Sequence, residues 1–353
     1  MTKRNFFYFI QFCTLLFGVS FPFWQTTEVF HIFHPLIIIV PGLIFSILFA
    51  MGFGTIFDLN RKLARLIKKT VGYWVGGGFI LFCTMAILIG INTIVDIHEG
   101  WFIGAGLAIA SILISYAYHH AKKMFIHSIS FSSNKISKSY HFVQLSDIHI
   151  GSNEEEEVQR ILNHMESLMY DFVVITGDLV DEDFASEEAV QLLNNIEKPI
   201  YYITGNHEYY LRHRHFSDFI KQTNIIDIND KKISIDNELT LFGIDEKSLI
   251  QKVIESEGVD THVYNIGLMH EPNKNQLKKA NDLGIDLMLS GHTHSGQIFP
   301  LTLLVKLRYL FLHGLYKINK MHVYVSQGTG TWGPKMRLGS NNEITLITLV
   351  PEK

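Results

Sequence analysis

Cysteine is nearly absent: Cys13 and Cys83 are the only thiols in 353 residues. That excludes a disulfide framework, disulfide partners and a cysteine-based metal site. Charge is scarce too. Charged side chains make up 18% of the chain, where soluble domains carry nearer about a quarter. With 47% apolar residues, this excludes a disordered chain and argues against a wholly soluble one. The net charge of −4 has no cationic excess, so nothing global points to nucleic acid. A length of 353 residues exceeds one ordinary domain and predicts at least two units.

The scarcity of charge is uneven. Residues 1–120 hold seven Lys or Arg and four acids, a net +3, while residues 121–353 hold 23 bases and 30 acids, a net −7. Four runs of 18 to 22 residues contain no charged side chain: Asn5–Trp24, Leu36–Phe57, Val71–Ile91 and Trp101–Tyr118. About 20 apolar residues span a bilayer core as a helix. Four such runs in succession leave no polar face for water, so a four-span α-helical membrane domain is expected over residues 1–120. The first run is too long for a signal-peptide core, and no A-x-A-like cleavage site or twin-Arg signal accompanies it. The loops Gln25–Pro35 and Asn92–Gly100 lack Lys and Arg, whereas the alternate loops carry nine. This asymmetry predicts a multi-pass protein of the cell's inner membrane with everything after residue 121 in the cytoplasm. No ionisable residue interrupts the runs, which favours an anchor over a transporter.

The remainder reads differently. Residues 121–139, Ser-rich from Ser128 to Ser139, are taken as a linker. Apolar runs at His141–Leu145, Phe172–Thr176, Ile200–Thr204, Val263–Met269 and Ile285–Ser290 then alternate with amphipathic stretches at Glu154–Met169, Phe184–Ile196 and Asn273–Leu283. Further β signals lie at Lys232–Ile235, Leu239–Ile244, Val323–Ser326 and Glu343–Val350. The alternation predicts an α/β domain over residues 140–353 with an at least partly parallel sheet. Ser152 and Asn153 before the glutamate run are expected to cap the helix from Glu154, with the run as its solvated start.

Five strand ends in order deliver Asp, Asn or His: Asp147-Ile148-His149, Gly177-Asp178-Leu179-Val180-Asp181, Gly205-Asn206-His207-Glu208, His270-Glu271-Pro272 and Gly291-His292-Thr293-His294. Ligands of open α/β sheets gather outside the carboxyl ends of strands. Oxygen and imidazole donors without thiolate suit Mn, Fe, Zn or Mg. The glycines in three of the blocks permit sharp turns beside such ions.

These blocks resemble the signature of the calcineurin-like metallophosphoesterases: D-x-H, G-D-x-x-D, G-N-H-[DE], a later His, and G-H-x-H. The first two gaps are 27 and 23 residues, near the family's spacing, and no block is substituted. The resemblance covers roughly residues 140–350. It implies an αββα sandwich with mixed sheets and two divalent metal ions. The first ion would be held by Asp147, His149, Asp178 and His294, and the second by Asp178, Asn206, His270 and His292. It also implies attack on phosphorus by a hydroxide bridging the metals, with His207 as general acid or charge stabiliser at the leaving oxygen and Asp181 orienting it. Glu208 matches the motif's acidic position, and its role is left open. His294-Ser295-Gly296-Gln297 and the closing Arg337-Leu338-Gly339-Ser340, with Glu343-Ile344, resemble the bacterial membrane-associated branch. That branch contains phosphodiesterases and UDP-diacylglucosamine-type pyrophosphatases. The N-terminal spans resemble those of its transmembrane members.

Two regions extend this reading toward a substrate. Ile298–Tyr316 is strongly apolar and carries Lys306 and Arg308. It reads as ordinary core or as a flap that meets the bilayer. Lys306, Arg308 and Arg337 are candidate phosphate contacts. Arg212, His213, Arg214 and His215 read as a solvated helix face, with a phosphate contact as the other reading. The leading expectation is a membrane-anchored enzyme cleaving a phosphodiester or pyrophosphate bond of a phosphorylated, lipid-linked or membrane-associated substrate. Phosphomonoesterase, non-catalytic scaffold and transporter-linked domain are the alternatives.

Overall fold

The structure, a computed structural model, describes residues 61–95, 99–181, 186–211 and 213–352. The expected spans Asn5–Trp24 and Leu36–Phe57 lie outside the described residues, as do Arg212 and the side chains of residues 213–215. By its contacts the chain forms two units. One contains residues up to His120 together with Gly333–Leu338, and the other runs from Ala121 to Trp332 and from Gly339 onward.

In the first unit two helices are described, α1 (Arg61–Asn92) and α2 (Glu99–His120). Within them Lys69–Asn92 and Trp101–His120, 24 and 20 residues with mean hydropathies of 2.1 and 1.6, are long and apolar enough to cross a membrane. At about 1.5 Å per residue, either matches a hydrocarbon core of about 30 Å. The helices touch where Gly106 has no side chain, since a Cβ there would meet the Met85 Sδ at 2.5 Å. Tyr73 and Tyr118 add an edge-to-face pair at 5.7 Å.

The second unit contains two six-stranded mixed sheets. The first is ordered β1 (Met124–Ser133), β12 (Asn342–Pro351), β2 (Tyr140–Leu145), β3 (Phe172–Thr176), β4 (Ile200–Ile203) and β5 (Ile225–Asp227). The second is ordered β10 (Gly314–Ile318), β11 (Met321–Val325), β9 (Leu287–Ser290), β8 (Tyr264–Met269), β7 (Leu239–Ile244) and β6 (Lys231–Ser234). Strands β2 to β5 run parallel, as do β7, β8, β9 and β11.

Side-chain alternation builds the layers, because successive strand residues face opposite sides. Phe142, Phe172, Val174, Leu241, Ile266, Leu289 and Tyr324 share a buried cluster between the sheets. Phe142 and Phe172 stack there at 4.8 Å. Their neighbours Val143 and Val173 turn outward, under α3 (Glu155–Met165) and α4 (Glu187–Asn194). On the other sheet Phe242, Met288 and Val323 meet α6 (Ile250–Glu257) and α7 (Lys274–Asp282). Helix α5 (His213–Lys221) precedes β5. The arrangement is helix, sheet, sheet, helix.

Three expectations need correction. Residues 121–139 are not simply a linker: β1 pairs with β12 in register from Met124↔Asn342 to Ser133↔Pro351. Ile129 and Phe131 alternate with serines, a strand period that the Ser-rich composition obscures. Ser152 and Asn153 do not cap α3, whose cap position is Glu154. The Ser152 hydroxyl donates to Asp181, and the Asn153 amide to the carbonyls of Ile148 and Thr331. Nor is the glutamate run wholly solvated, because Glu157 is buried and paired with Arg160. The apolar stretch Ile298–Tyr316 divides. Ile298, Phe311 and Leu312 are buried, while α8 (Leu301–Arg308) has no buried residue.

Candidate metal centre

The parallel strands bring their carboxyl ends to one place. Leu145 lies beside Ile175, Thr176 beside Ile203, and Leu268 beside Leu289. The two sheets are joined at that end by Gln144, whose Nε2 donates to Thr176 Oγ1 and to the Ser290 carbonyl, both at 3.0 Å. Each strand therefore releases its motif residues toward a common point.

The backbone turns hard to present them. Asp147, His149, Asp178, His292 and His294 all have positive φ, between 45° and 70°. Left-handed backbone costs a non-glycine residue about 1 kcal/mol or more, so five such residues in one place mark a strained site held by its surroundings. The motif glycines serve two different ends. Gly177 itself has φ of 90°, but Gly205 is small for close approach, because a Cβ there would collide with the Asp178 carboxylate.

All seven candidate ligands come together, in two groups. Asp147, His149 and His294 form one, and Asp178, His270 and His292 the other, with Asn206 beside it. Within each group the donor atoms lie within 4.8 Å of one another. In the first, His149 Nε2 is 3.0 Å from His294 Nε2, and His294 Nε2 is 3.4 Å from Asp147 Oδ1. In the second, His270 Nε2 lies 3.2 Å from Asp178 Oδ2 and 3.1 Å from Asn206 Oδ1, and His292 Nδ1 is 2.8 Å from Asn206 Oδ1. Asp178 Oδ2 is also 3.9 Å from His149 Nε2, so this carboxylate faces both groups.

The donor set fits divalent cations. His270 Nδ1 lies 2.7 Å from the Thr176 carbonyl, which can only accept, so Nδ1 carries the hydrogen. That leaves the Nε2 lone pair facing the Asp178 and Asn206 oxygens, with His292 Nδ1 3.2 Å away, a set of donor atoms that a bound cation would satisfy together. Burial opposes the His270 imidazolium, yet Asp178 raises its pKa well above the ordinary range. Burial and His270 together push His292 down to about 4, leaving a neutral imidazole able to ligate. Burial also works against the Asp178 carboxylate, but His270 and His207 hold it well below the usual range.

A third group, His149, Asp181 and His207, is hydrogen-bonded. Asp181 Oδ1 accepts from His149 Nδ1 at 2.7 Å and from His207 Nδ1 at 2.6 Å. One carboxylate thus orients a candidate ligand and the candidate acid. His207 Nε2 points back toward the cluster, 3.8 Å from Asp178 Oδ2. Burial disfavours the His207 imidazolium, but Asp181 and Asp178 outweigh it and push the pKa up to about 9. The rings of Tyr210 and Trp332 stand edge-on to His207, at 5.4 and 5.7 Å.

Of the candidate phosphate contacts, Lys306 and Arg308 are exposed on α8. Arg337 is fully buried, belongs to the helical unit, and donates its backbone N–H to the Ala117 carbonyl at 2.9 Å.

Two contributors, Glu246 and Tyr309, escaped sequence reasoning, and a third, Glu208, was singled out by its motif position but given its contacts only by the structure. Glu208 is buried and accepts from the backbone N–H groups of Asp178, Leu179, Val180 and Gly205. Glu246, just beyond β7, has its carboxyl pushed up to about 7 by burial. It follows a strand end, a signal available in the sequence. Tyr309, at the end of α8, places its hydroxyl 2.9 Å from His292 Nε2. No motif announces it. Tyr309→Phe is expected to weaken metal binding about tenfold or more, the usual effect of losing a ligand's orienting partner. Metal titration of the purified protein checks this, and unchanged affinity would show that His292 is held otherwise.

Comparison with known proteins agrees with this geometry. The family described as calcineurin-like phosphoesterase matches residues 140–296. An uncharacterized metallophosphoesterase of Campylobacter jejuni is 32% identical over 271 residues, 70% of this chain and 69% of its own length. The chain belongs to the calcineurin-like metallophosphoesterases. An uncharacterized metallophosphoesterase of Helicobacter pylori is 34% identical over 234 residues, 62% of either chain. The chain therefore spans about three fifths of that relative's length. A zebrafish (Danio rerio) protein described as a transmembrane protein with metallophosphoesterase domain is 34% identical over 230 residues, 59% of this chain and 52% of its own. Membership of this family implies divalent metal ions, and the groups above are the candidates to hold them.

Proposed function

We propose that the protein is a membrane-anchored phosphoesterase with two divalent metal ions, cleaving a phosphodiester or pyrophosphate bond of a lipid-linked or membrane-associated substrate. The observation that carries the reading is the pair of ligand groups with Asp178 facing both. Asp147, His149, Asp178 and His294 would hold one ion. Asp178, Asn206, His270 and His292 would hold the other. When bound, two such ions neutralise phosphoryl oxygens and lower the pKa of water, which suits attack on an anionic ester.

The chain's own groups do the rest. Asp181 fixes the His207 ring through Nδ1, so Nε2 is the atom left to hand a proton to the departing oxygen. Tyr210 and Trp332 stand beside that ring and limit the directions from which water reaches it. The anchor is supported by the apolar helices α1 and α2 and by the two apolar runs before residue 61. The distribution of Lys and Arg supports a cytoplasmic active site.

The test is the full chain in detergent, with metal content measured and turnover followed on an aryl phosphodiester, an aryl phosphomonoester, a phospholipid diester and UDP-diacylglucosamine. Metal-dependent turnover of diester or pyrophosphate, lost in Asn206→Ala, is the expected result. Turnover confined to the monoester would overturn the bond assignment. A metal-free protein inert on all four substrates would overturn the enzyme reading.

A further inference from the structure

Helix α8 is tied to the candidate metal centre at both ends. Near its start, Thr302 lies so close to Gly296, in the turn after His294, that a Cβ on Gly296 would meet the Thr302 Cα at 2.5 Å. At its end, Tyr309 bonds His292. Between these ties no residue is buried. Leu303, Leu304 and Leu307 are 54%, 61% and 85% exposed, and the flanking Phe299 and Leu310 are 48% and 62% exposed.

An eight-residue helix is marginal on its own in water. Its stability normally comes from an apolar face pressed against something. Here nothing within the described residues covers that face. The face is also patterned. At about 100° per residue, Leu303, Leu304 and Leu307 form one stripe, with Lys306 along one flank and Arg308 along the other. No acidic residue occurs from Ile298 to Tyr316. Arg308 lies over the Tyr309 ring, 5.4 Å from its centroid, and Glu271 is the acid that bears on it. A complementary partner is apolar at depth and anionic at its rim.

We infer that α8 is an interfacial helix that seats its leucine stripe in the headgroup and acyl boundary of an anionic phospholipid leaflet. Leucines enter the acyl region while Lys306 and Arg308 extend along the surface to lipid phosphates. A globular protein partner would match the leucines equally well. The bilayer is favoured by the cations on both flanks and by α1 and α2, which are suited to hold this same chain at a membrane. The inference thus rests on the membrane part of the proposed function. It adds that the leaflet itself touches the element carrying Tyr309, one hydrogen bond from His292.

The experiment uses the full chain in nanodiscs of phosphatidylcholine, with or without phosphatidylglycerol. Cys13 and Cys83 are replaced by serine, and a fluorophore is attached through Leu307→Cys or, as control, through Met169→Cys. Met169 is exposed to the same degree, 85%, but lies after α3. Quenching by lipids with nitroxides at shallow acyl positions is expected to be severalfold stronger at 307. It should rise with phosphatidylglycerol and fall when Lys306→Glu and Arg308→Glu are added. Equal quenching at both positions overturns the inference. So does self-quenching at 307 that ignores lipid composition, because a second copy would then cover the helix. Quenching is read without turnover, which separates the two failures. An active enzyme unquenched at 307 removes the interfacial helix, and an inactive one quenched at 307 supports the helix while removing the activity.

Discussion

His207→Ala is expected to keep its metal ions and lose about 10²- to 10⁴-fold in turnover, the contribution of a positioned general acid. Asp181→Ala is expected to lose as much turnover and also about 10- to 100-fold in metal affinity. The difference follows from one carboxylate with two imidazoles on it. Asp181 Oδ1 holds the Nδ1 of His207 and the Nδ1 of His149. Removing His207 leaves His149 oriented, whereas removing Asp181 frees both rings. Metal content measured beside kcat in the two variants decides the point. Equal metal loss in both would show that His207 is a ligand or that Asp181 does not orient His149. Near wild-type turnover of a diester by His207→Ala would remove the acid role.

Glu208→Ala should be the most destabilising change at the site. Its buried carboxylate accepts from four backbone N–H groups, those of Asp178, Leu179, Val180 and Gly205. Each buried donor left without a partner costs about 1–3 kcal/mol. Even with partial relaxation the loss should reach about 3–5 kcal/mol, on the order of 10 °C in Tm for a domain of this size. The same N–H groups belong to the loop that carries Asp178, so metal affinity should fall with stability. Glu208→Gln keeps one accepting oxygen but sets an NH₂ against the remaining donors, and should fall between wild type and alanine. Thermal unfolding of the three proteins in one detergent measures this order. A Tm unchanged in Glu208→Ala would mean that water replaces the carboxylate and that Glu208 does not hold the loop.

Much of the candidate site was legible in the sequence because its residues sit at strand ends. A strand end can be found from an apolar run and the polar cluster that stops it, as at Phe172–Thr176 before Gly177-Asp178. Once five ends carry Asp, Asn or His, parallel strands can bring them together only at one edge. The layers were legible for the same reason, since alternation at positions such as Phe142 and Val143 assigns each side chain a face. Where pattern and composition disagreed, composition misled. Ser128–Ser139 reads as a linker by its serines, but the pairing of β1 with the final strand β12 makes Met124–Ser133 part of the sheet. Ser152 and Asn153 have the chemistry of a helix cap, but Asp181, 29 residues away, and the Ile148 and Thr331 carbonyls take their hydrogen bonds.

The sequence by itself determined which residue types gather at the candidate metal centre, the order in which strands deliver them, and the two apolar helices long enough for a bilayer. Each of these is local, a matter of periodicity, spacing or a run of one character. Only the tertiary structure decided that Glu208 holds the Asp178 loop, that Tyr309 reaches His292, and that the leucines of α8 lie in the open while Phe311 and Leu312 beside them are buried. Those outcomes depend on which groups from distant segments arrive within 3 Å or so of one another. An apolar residue does not carry in its own sequence neighbourhood whether another segment of the chain will come to cover it.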